Sequence, residues 1–200
     1  MTLEILTNTH SGDVTSDSML LADFVKVHSG ERVIDLGTGC GIIALKIAEK
    51  VNADVVGVDI LETAIHTAEQ NLAHNKNDLR GNVTFLHADV TSSAFLSGIG
   101  MCDVVVANPP FYKVNEGRLP PDRARGIQRH ELATTLESLV NSAAALLNPD
   151  GRLYILHLPT RLSDIACALK KHRFCIVQLK PVFTKRATLP KRILLEAFRQ

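Results

Sequence analysis

Four short clusters in this 200-residue chain could do chemistry, and each sits at the end of an apolar run. The first is Asp35-Leu36-Gly37-Thr38-Gly39-Cys40-Gly41, between RVIDL (32–36) and IIALKIAEK (42–50). Gly37 and Gly39 let the backbone turn tightly and come close to a ligand, and Gly41 lets a following helix pack near a sheet. Dinucleotide phosphates are held by a related turn, but with GxGxxG spacing. Here the spacing is GxGxG, and Asp35 stands two residues ahead of Gly37. A carboxylate there would repel a pyrophosphate and suits a cation or a hydroxyl. S-adenosylmethionine, which carries a sulfonium and an amino group and no phosphate, meets that requirement.

The second cluster centres on Asp59, which follows DVVGV (54–58) and lies 24 residues after Asp35. A carboxylate at that place can accept from both hydroxyls of a ribose. It can also cap the helical run that begins near Leu61. The third is Asp89, in the LHADV that closes VTFLH (83–87). It could accept from an adenine amine, or serve as a turn aspartate.

The fourth, Asn108-Pro109-Pro110-Phe111, closes CDVVVA (102–107) and is the most specific. Two prolines remove two backbone donors and stiffen the turn. The Asn108 side-chain oxygen and the Pro109 carbonyl can then accept both protons of a planar –NH2, which aims the nitrogen lone pair at a methyl donor. Charge that develops on nitrogen is stabilised as the bond forms. No strong general base is needed, because the proton becomes acidic only as the methyl arrives. Phe111, with Tyr112, offers a face on which a flipped or unpaired base can stack.

The elements that must position these residues alternate between short β-rich runs and helical runs, the pattern of a doubly wound α/β domain. RLYILHL (152–158), CIVQLKPV (175–182) and ILLEAF (193–198) complete seven expected strands. Their near-continuous apolar character predicts strands covered on both faces. Helices are expected over 16–27, from the glycine turn onward, along Leu61, Ile65, Ala68 and Leu72, over 131–147, and from near Thr160. Ser16 and Asp17 are cap candidates for the first. Pro149-Asp150-Gly151 is expected to end the fourth. The stretch from Asn108 to Arg129 has no periodicity, and a loop of that length in a small domain is usually functional or disordered. We expect one domain over residues 1–200, with residues 1–29 as an N-terminal helical extension.

Composition excludes several classes. No run reaches the roughly 18 apolar residues of a membrane span, and the N-terminus lacks the basic-then-apolar order of a signal peptide. A cytoplasmic, soluble protein is expected. Cys40, Cys102, Cys167 and Cys175 form no CxxC, and the eight histidines are scattered, so we expect reduced, mostly buried thiols and no metal. The net charge of +1 hides an asymmetry. Residues 1–100 hold 6 Lys/Arg against 13 Asp/Glu, a balance of −7, whereas residues 101–200 hold 16 against 8, a balance of +8. Lys113, Arg118, Arg123, Arg125 and Arg129 lie in the long loop, and Lys180, Lys185, Arg186, Lys191, Arg192 and Arg199 lie in the tail. Bordering one mouth of the fold, they would meet phosphates and position an RNA, while the NPPF residues select the base.

DLGTGCG, a downstream acidic strand end and NPPF together resemble class I methyltransferases that act on amines. SDSMLLADFV, RARGIQRHE, GRLYILHLPTRL and LPKRILLEAFR extend the likeness from about Thr15 to Arg199. Those segments resemble the family that methylates the 6-amino group of the adenosine beside the anticodon of a bacterial valine tRNA. The resemblance implies a Rossmann-like, mostly parallel seven-stranded sheet whose last strand is antiparallel. It implies cofactor contacts from Asp35, Gly37, Gly39, Asp59, Asp89 and Asn108, with Gly41 completing the turn, and an amine grip spanning Asn108, Pro109 and Phe111. Phe111, Tyr112, Arg118, Arg123, Arg125, Lys185 and Arg186 are the expected RNA contacts. Two amines compete with adenine: a protein glutamine amide and a guanine amine in ribosomal RNA. A glutamine methyltransferase is expected to carry a separate N-terminal recognition domain, which residues 1–29 do not supply. A non-catalytic nucleotide-binding module is disfavoured by the intact Asp35, Asp59 and Asn108. A nicotinamide dehydrogenase is disfavoured by GxGxG and NPPF.

Overall fold

Arg32–Leu36 and Cys102–Ala107 are the two most buried of the first four strands, and the fold is organised around them. In the computed structural model, which describes residues 3–6, 16–109, 135–184 and 187–200, they form β1 and β4 of a seven-stranded sheet. The others are β2 (Asp54–Asp59), β3 (Asn82–His87), β5 (Leu147–His157), β6 (Phe174–Val182) and β7 (Arg192–Arg199). Their order is β3-β2-β1-β4-β5-β7-β6. All neighbours as far as β5 are parallel, and β7 is antiparallel to both β5 and β6.

Side chains alternate across the sheet, so the strands feed two cores. Ile34, Leu36, Val56, Val105, Leu153 and Ile155 face one side, under α4 (Ser93–Gly98), α5 (Leu136–Leu146) and α6 (Leu162–Lys171). Val33, Val55, Val104, Val106, Tyr154 and Leu156 face the other, under α1 (Ser16–Phe24), α2 (Ile42–Lys50) and α3 (Glu62–Asn75). Nine residues are too few for a helix to hold alone in water. α2 holds because six of its nine, Ile42, Ile43, Ala44, Leu45, Ile47 and Ala48, are buried against the sheet.

The structure corrects several expectations. β5 begins five residues earlier than its apolar run: Leu147 already pairs with Cys102, and the register then shifts before Val104–Arg152. Pro149-Asp150-Gly151, read as a break, is a bulge in which Asp150 takes φ 62°. Only the middle of the sheet is covered on both faces. β3 and β6 are its edges, and Ile176, Val177 and Leu179 on β6 are exposed. α1 ends at Phe24, and Leu3–Leu6 lies outside any helix, so the N-terminal extension is helical only in part. Asp17 pairs with Arg192 at 2.8 Å. Cys40 and Cys102 are buried, whereas Cys167 and Cys175 are exposed on α6 and the β6 edge. Among the described residues no helix is long and apolar enough to cross a membrane, and no three His, Cys, Asp or Glu side chains cluster. Pro110, Phe111, Tyr112, Lys113, Arg118, Arg123, Arg125, Arg129, Lys185 and Arg186 lie outside the described residues.

Candidate active site

The sheet reverses its order between β1 and β4, and open α/β sheets bind ligands beyond the carboxyl ends of the strands at such a point. Leu36 is level with Val58 and with Ala107, and Asp59 with His87, so four strand ends emerge together. Asp35, the glycine loop, Asp59, Asp89 and Asn108 therefore share one rim.

The loop hangs from the neighbouring strand. The amides of Gly37 and Thr38 both donate to the Val58 carbonyl, at 2.8 and 3.0 Å. Gly37, Gly39 and Gly41 all have positive φ, at 77, 57 and 83°. Gly41 has a second constraint, since a Cβ there would lie 2.6 Å from the Phe85 ring. Asp59 braces the loop from below. Its Oδ2 accepts from the Gly39 amide at 2.9 Å and its Oδ1 from the Leu61 amide at 3.0 Å. The N-cap of α3 is Leu61, with no side-chain cap bond, so Asp59 does not cap the helix but braces the loop and the chain leading into it. Its carboxylate is pushed above the usual range chiefly by burial, with the amides of Leu61, Gly39 and Ile60 and the charge of His87 opposing.

Asp35 is wholly buried, and its Oδ2 accepts from the Thr38 hydroxyl at 2.7 Å. Burial pushes its pKa up to about 7; the Thr38 hydroxyl and the Ala44 amide oppose this, and the charge of Asp59 adds to it. The folded value lies above the unfolded one of 3.8, so the folded state binds the proton more tightly. The stability contributed is present in full below about pH 4 and is lost as pH rises towards 7. The ligand-free protein should therefore become less stable between about pH 4 and 7. Each tenfold difference in acidity is worth about 1.4 kcal/mol. Urea unfolding at several pH values checks this, with Asp35→Asn expected to flatten the curve. An equally steep curve in the variant would place the pH dependence elsewhere.

Asp89 has one oxygen committed locally: Oδ1 accepts from the Thr91 amide at 2.8 Å and its hydroxyl at 2.6 Å. Oδ2 takes no part in these bonds. Asn108 ends β4, and its Nδ2 donates to the Ser18 hydroxyl of α1 at 3.1 Å. Its Oδ1 is buried and has no hydrogen-bond partner among the described residues. Unsatisfied buried acceptors are uncommon and call for an explanation, such as a ligand that completes them.

Two residues that support the rim have no local sequence signature. Asn71 on α3 is fully buried; its Nδ2 donates to the Cys40 carbonyl at 2.9 Å and to the Leu6 carbonyl at 3.0 Å, and its Oδ1 accepts from the Leu6 amide. Asn75 holds Glu4 in the same way, at 2.9 and 2.8 Å. Two poor helix formers four residues apart on one helix are the only hint the sequence offers. The other is Ser18.

The residues present suit a cationic, ribose-bearing ligand. Two carboxylates, Asp35 and Asp59, stand where a diphosphate would be repelled, and an orphan acceptor waits at the end of β4. The sheet order, with β7 inserted antiparallel beside β5, is that of class I methyltransferases. The chain belongs to the methyltransferase small domain family, whose model matches residues 8–172. It is 35% identical over 169 residues to the tRNA1(Val) (adenine(37)-N6)-methyltransferase of Porphyromonas gingivalis, covering 83% of this chain and 65% of that relative. The chain thus spans just under two thirds of that protein's length. The enzyme of the same name from Bacteroides thetaiotaomicron is 31% identical over 186 residues, covering 91% of this chain and 75% of the relative. Among solved structures, the Thermus thermophilus 16S rRNA N2 G1207 methyltransferase, in complex with AdoMet and guanosine, superposes with a TM-score of 0.66. It is 24% identical, and the match covers 96% of this chain and 45% of that one.

Proposed function

We propose that this chain transfers a methyl group from S-adenosylmethionine to the 6-amino group of an adenine in tRNA. The observation that carries the reading is the Asn108 carboxamide at the end of β4, with Nδ2 occupied by Ser18 and Oδ1 buried and unpartnered among the described residues. An amine that is to be methylated needs acceptors for its protons, and Oδ1 supplies one. The Pro109 carbonyl is the expected second, and Phe111 and Tyr112 the expected stacking surface. S-adenosylmethionine, when bound, supplies an electrophilic methyl carbon. The chain's own residues hold and aim. Asp59 accepts from ribose hydroxyls, Asp35 holds the glycine loop from beneath through the Thr38 hydroxyl, and the Oδ2 of Asp89 accepts from the adenine amine. Asn108 fixes the acceptor amine and stabilises positive charge growing on its nitrogen. The proton then leaves to solvent. Arg118, Arg123, Arg125, Lys185 and Arg186 position the RNA through its phosphates. The named activity of the two relatives supports adenine over a guanine or a glutamine amide.

Asp59→Ala should weaken binding of S-adenosylmethionine by about 1–3 kcal/mol, the scale of losing hydrogen bonds to a charged acceptor. Calorimetry on the folded variant measures it. Unchanged affinity would leave Asp59 as a brace for Gly39 and Leu61 only. The reading as a whole is tested by incubating the protein with methyl-labelled cofactor and either undermodified tRNA or total protein. Label is expected in tRNA; label confined to protein would overturn the RNA assignment.

A further inference from the structure

An asparagine carboxamide has two ends of almost equal size, an acceptor oxygen and a donor –NH2, and a half-turn of its terminal torsion exchanges them. The prolines after Asn108 fix where the group sits, but they do not choose which end faces the reacting amine. Only the oxygen can accept a proton from that amine. The wrong orientation would set –NH2 against –NH2.

Ser18 restrains that torsion; a hydroxyl can bond either end, and in the structure it takes the nitrogen. It is buried in the first turn of α1, 90 residues away in sequence, and its Oγ accepts from Asn108 Nδ2 at 3.1 Å. The nitrogen end is thereby held towards α1, and Oδ1 is the end left buried without a partner among the described residues. α1 itself is fixed at two points around Ser18. Asp17 pairs with Arg192 at the start of β7 at 2.8 Å, with both side chains largely buried, and Leu21 and Ala22 are sunk in the core. The hydroxyl is therefore presented from an anchored helix.

We infer that Ser18 is a positioning residue for methyl transfer, restraining the Asn108 carboxamide at its nitrogen end while its oxygen meets the acceptor amine. The inference rests on the amine-gripping role given to Asn108 above. Without the Ser18 hydroxyl, the carboxamide turns more freely about its terminal torsion and loses the geometry the transition state needs.

The test compares single-turnover methyl transfer to undermodified tRNA, together with affinity for S-adenosylmethionine, in Ser18→Ala, Ser18→Thr, Asn108→Ala and the double variant Ser18→Ala/Asn108→Ala. Ser18→Ala should be slowed about tenfold, the scale of one lost hydrogen bond, with unchanged cofactor and tRNA affinity. Ser18→Thr, which keeps the oxygen, should recover most of the rate. The double variant should be no slower than Asn108→Ala alone, because Ser18 acts through that side chain. A slow Asn108→Ala beside a Ser18→Ala as fast as wild type overturns the role of Ser18 and leaves the amine grip standing. Independent, multiplying losses in the double variant overturn it as well. An Asn108→Ala as fast as wild type overturns the grip and the inference together. If Ser18→Ala does not fold, Ser18→Cys, close in size and with only a weakly hydrogen-bonding thiol, takes its place, with the same outcomes deciding.

Discussion

Replacing Asn108 by alanine should slow the methyl-transfer step by about 100-fold or more while leaving S-adenosylmethionine binding largely intact. The magnitude is that of removing one positioned polar group from a developing charge. The selectivity follows from where the side chain is committed. Its nitrogen is taken by Ser18 and its oxygen by none of the described residues, so the loss falls on the acceptor amine. The glycine loop, Asp35 and Asp59 do not depend on it; they are held by Val58, Thr38, Gly39 and Leu61. Single-turnover transfer and cofactor titration on the same preparation read the two quantities separately. A variant as fast as wild type would reduce the NPP turn to scaffolding.

The second large effect is expected at Gly41, and it is one of stability. A left-handed backbone costs a residue with a Cβ about 1–2 kcal/mol, and Gly41 sits at φ 83°. The added carbon would also lie 2.6 Å from Phe85 Cζ and 3.1 Å from the Ala68 Cβ. Phe85 is buried on β3 and cannot leave without opening a cavity. Gly41→Ala should therefore cost about 3 kcal/mol or more, lowering Tm by roughly 6–12 °C for a chain of this size. Gly37 shares the positive φ, but nothing lies within 4 Å of a Cβ built there, so Gly37→Ala should cost the conformational part alone. Denaturant unfolding of the pair separates strain from overlap. Equal losses would show that Phe85 yields freely.

The central strands were legible because their burial leaves a continuous apolar signature: RVIDL and CDVVVA coincide with β1 and β4 residue for residue. The start of β5 was not, because Pro149-Asp150-Gly151 has the composition of a turn, and only pairing of Leu147 with Cys102 reveals a bulge inside a strand. α4, six residues long, is too short to show a period; the Ser92 hydroxyl accepting from the Phe95 amide marks its start. Along α3 the apolar stripe pointed to Ile65, Ala68 and Leu72, yet the buried face also takes in Asn71 and Asn75. Their reason for being buried lies 65 to 71 residues away, in Leu6 and Glu4.

The site shows the same division. Motif spacing brought Asp35, Gly37, Gly39, Gly41, Asp59, Asp89 and Asn108 to one rim, because each closes or follows a strand whose end is level with its neighbours. How each side chain is spent was not legible. Asp35 turned out wholly buried under Thr38, Asp59 divided between two backbone amides, and Asn108 tied to a serine on α1. These partners come from other elements, and no local pattern announces them. The basic residues proposed to meet RNA rest on charge alone.

The most direct test of the account is mass spectrometry of nucleosides from undermodified tRNA after incubation with the protein and methyl-labelled S-adenosylmethionine. The account predicts one labelled methyl on the 6-amino group of adenosine, strongly reduced with Asn108→Ala. Label on guanosine, on ribose, or nowhere in the RNA would contradict it.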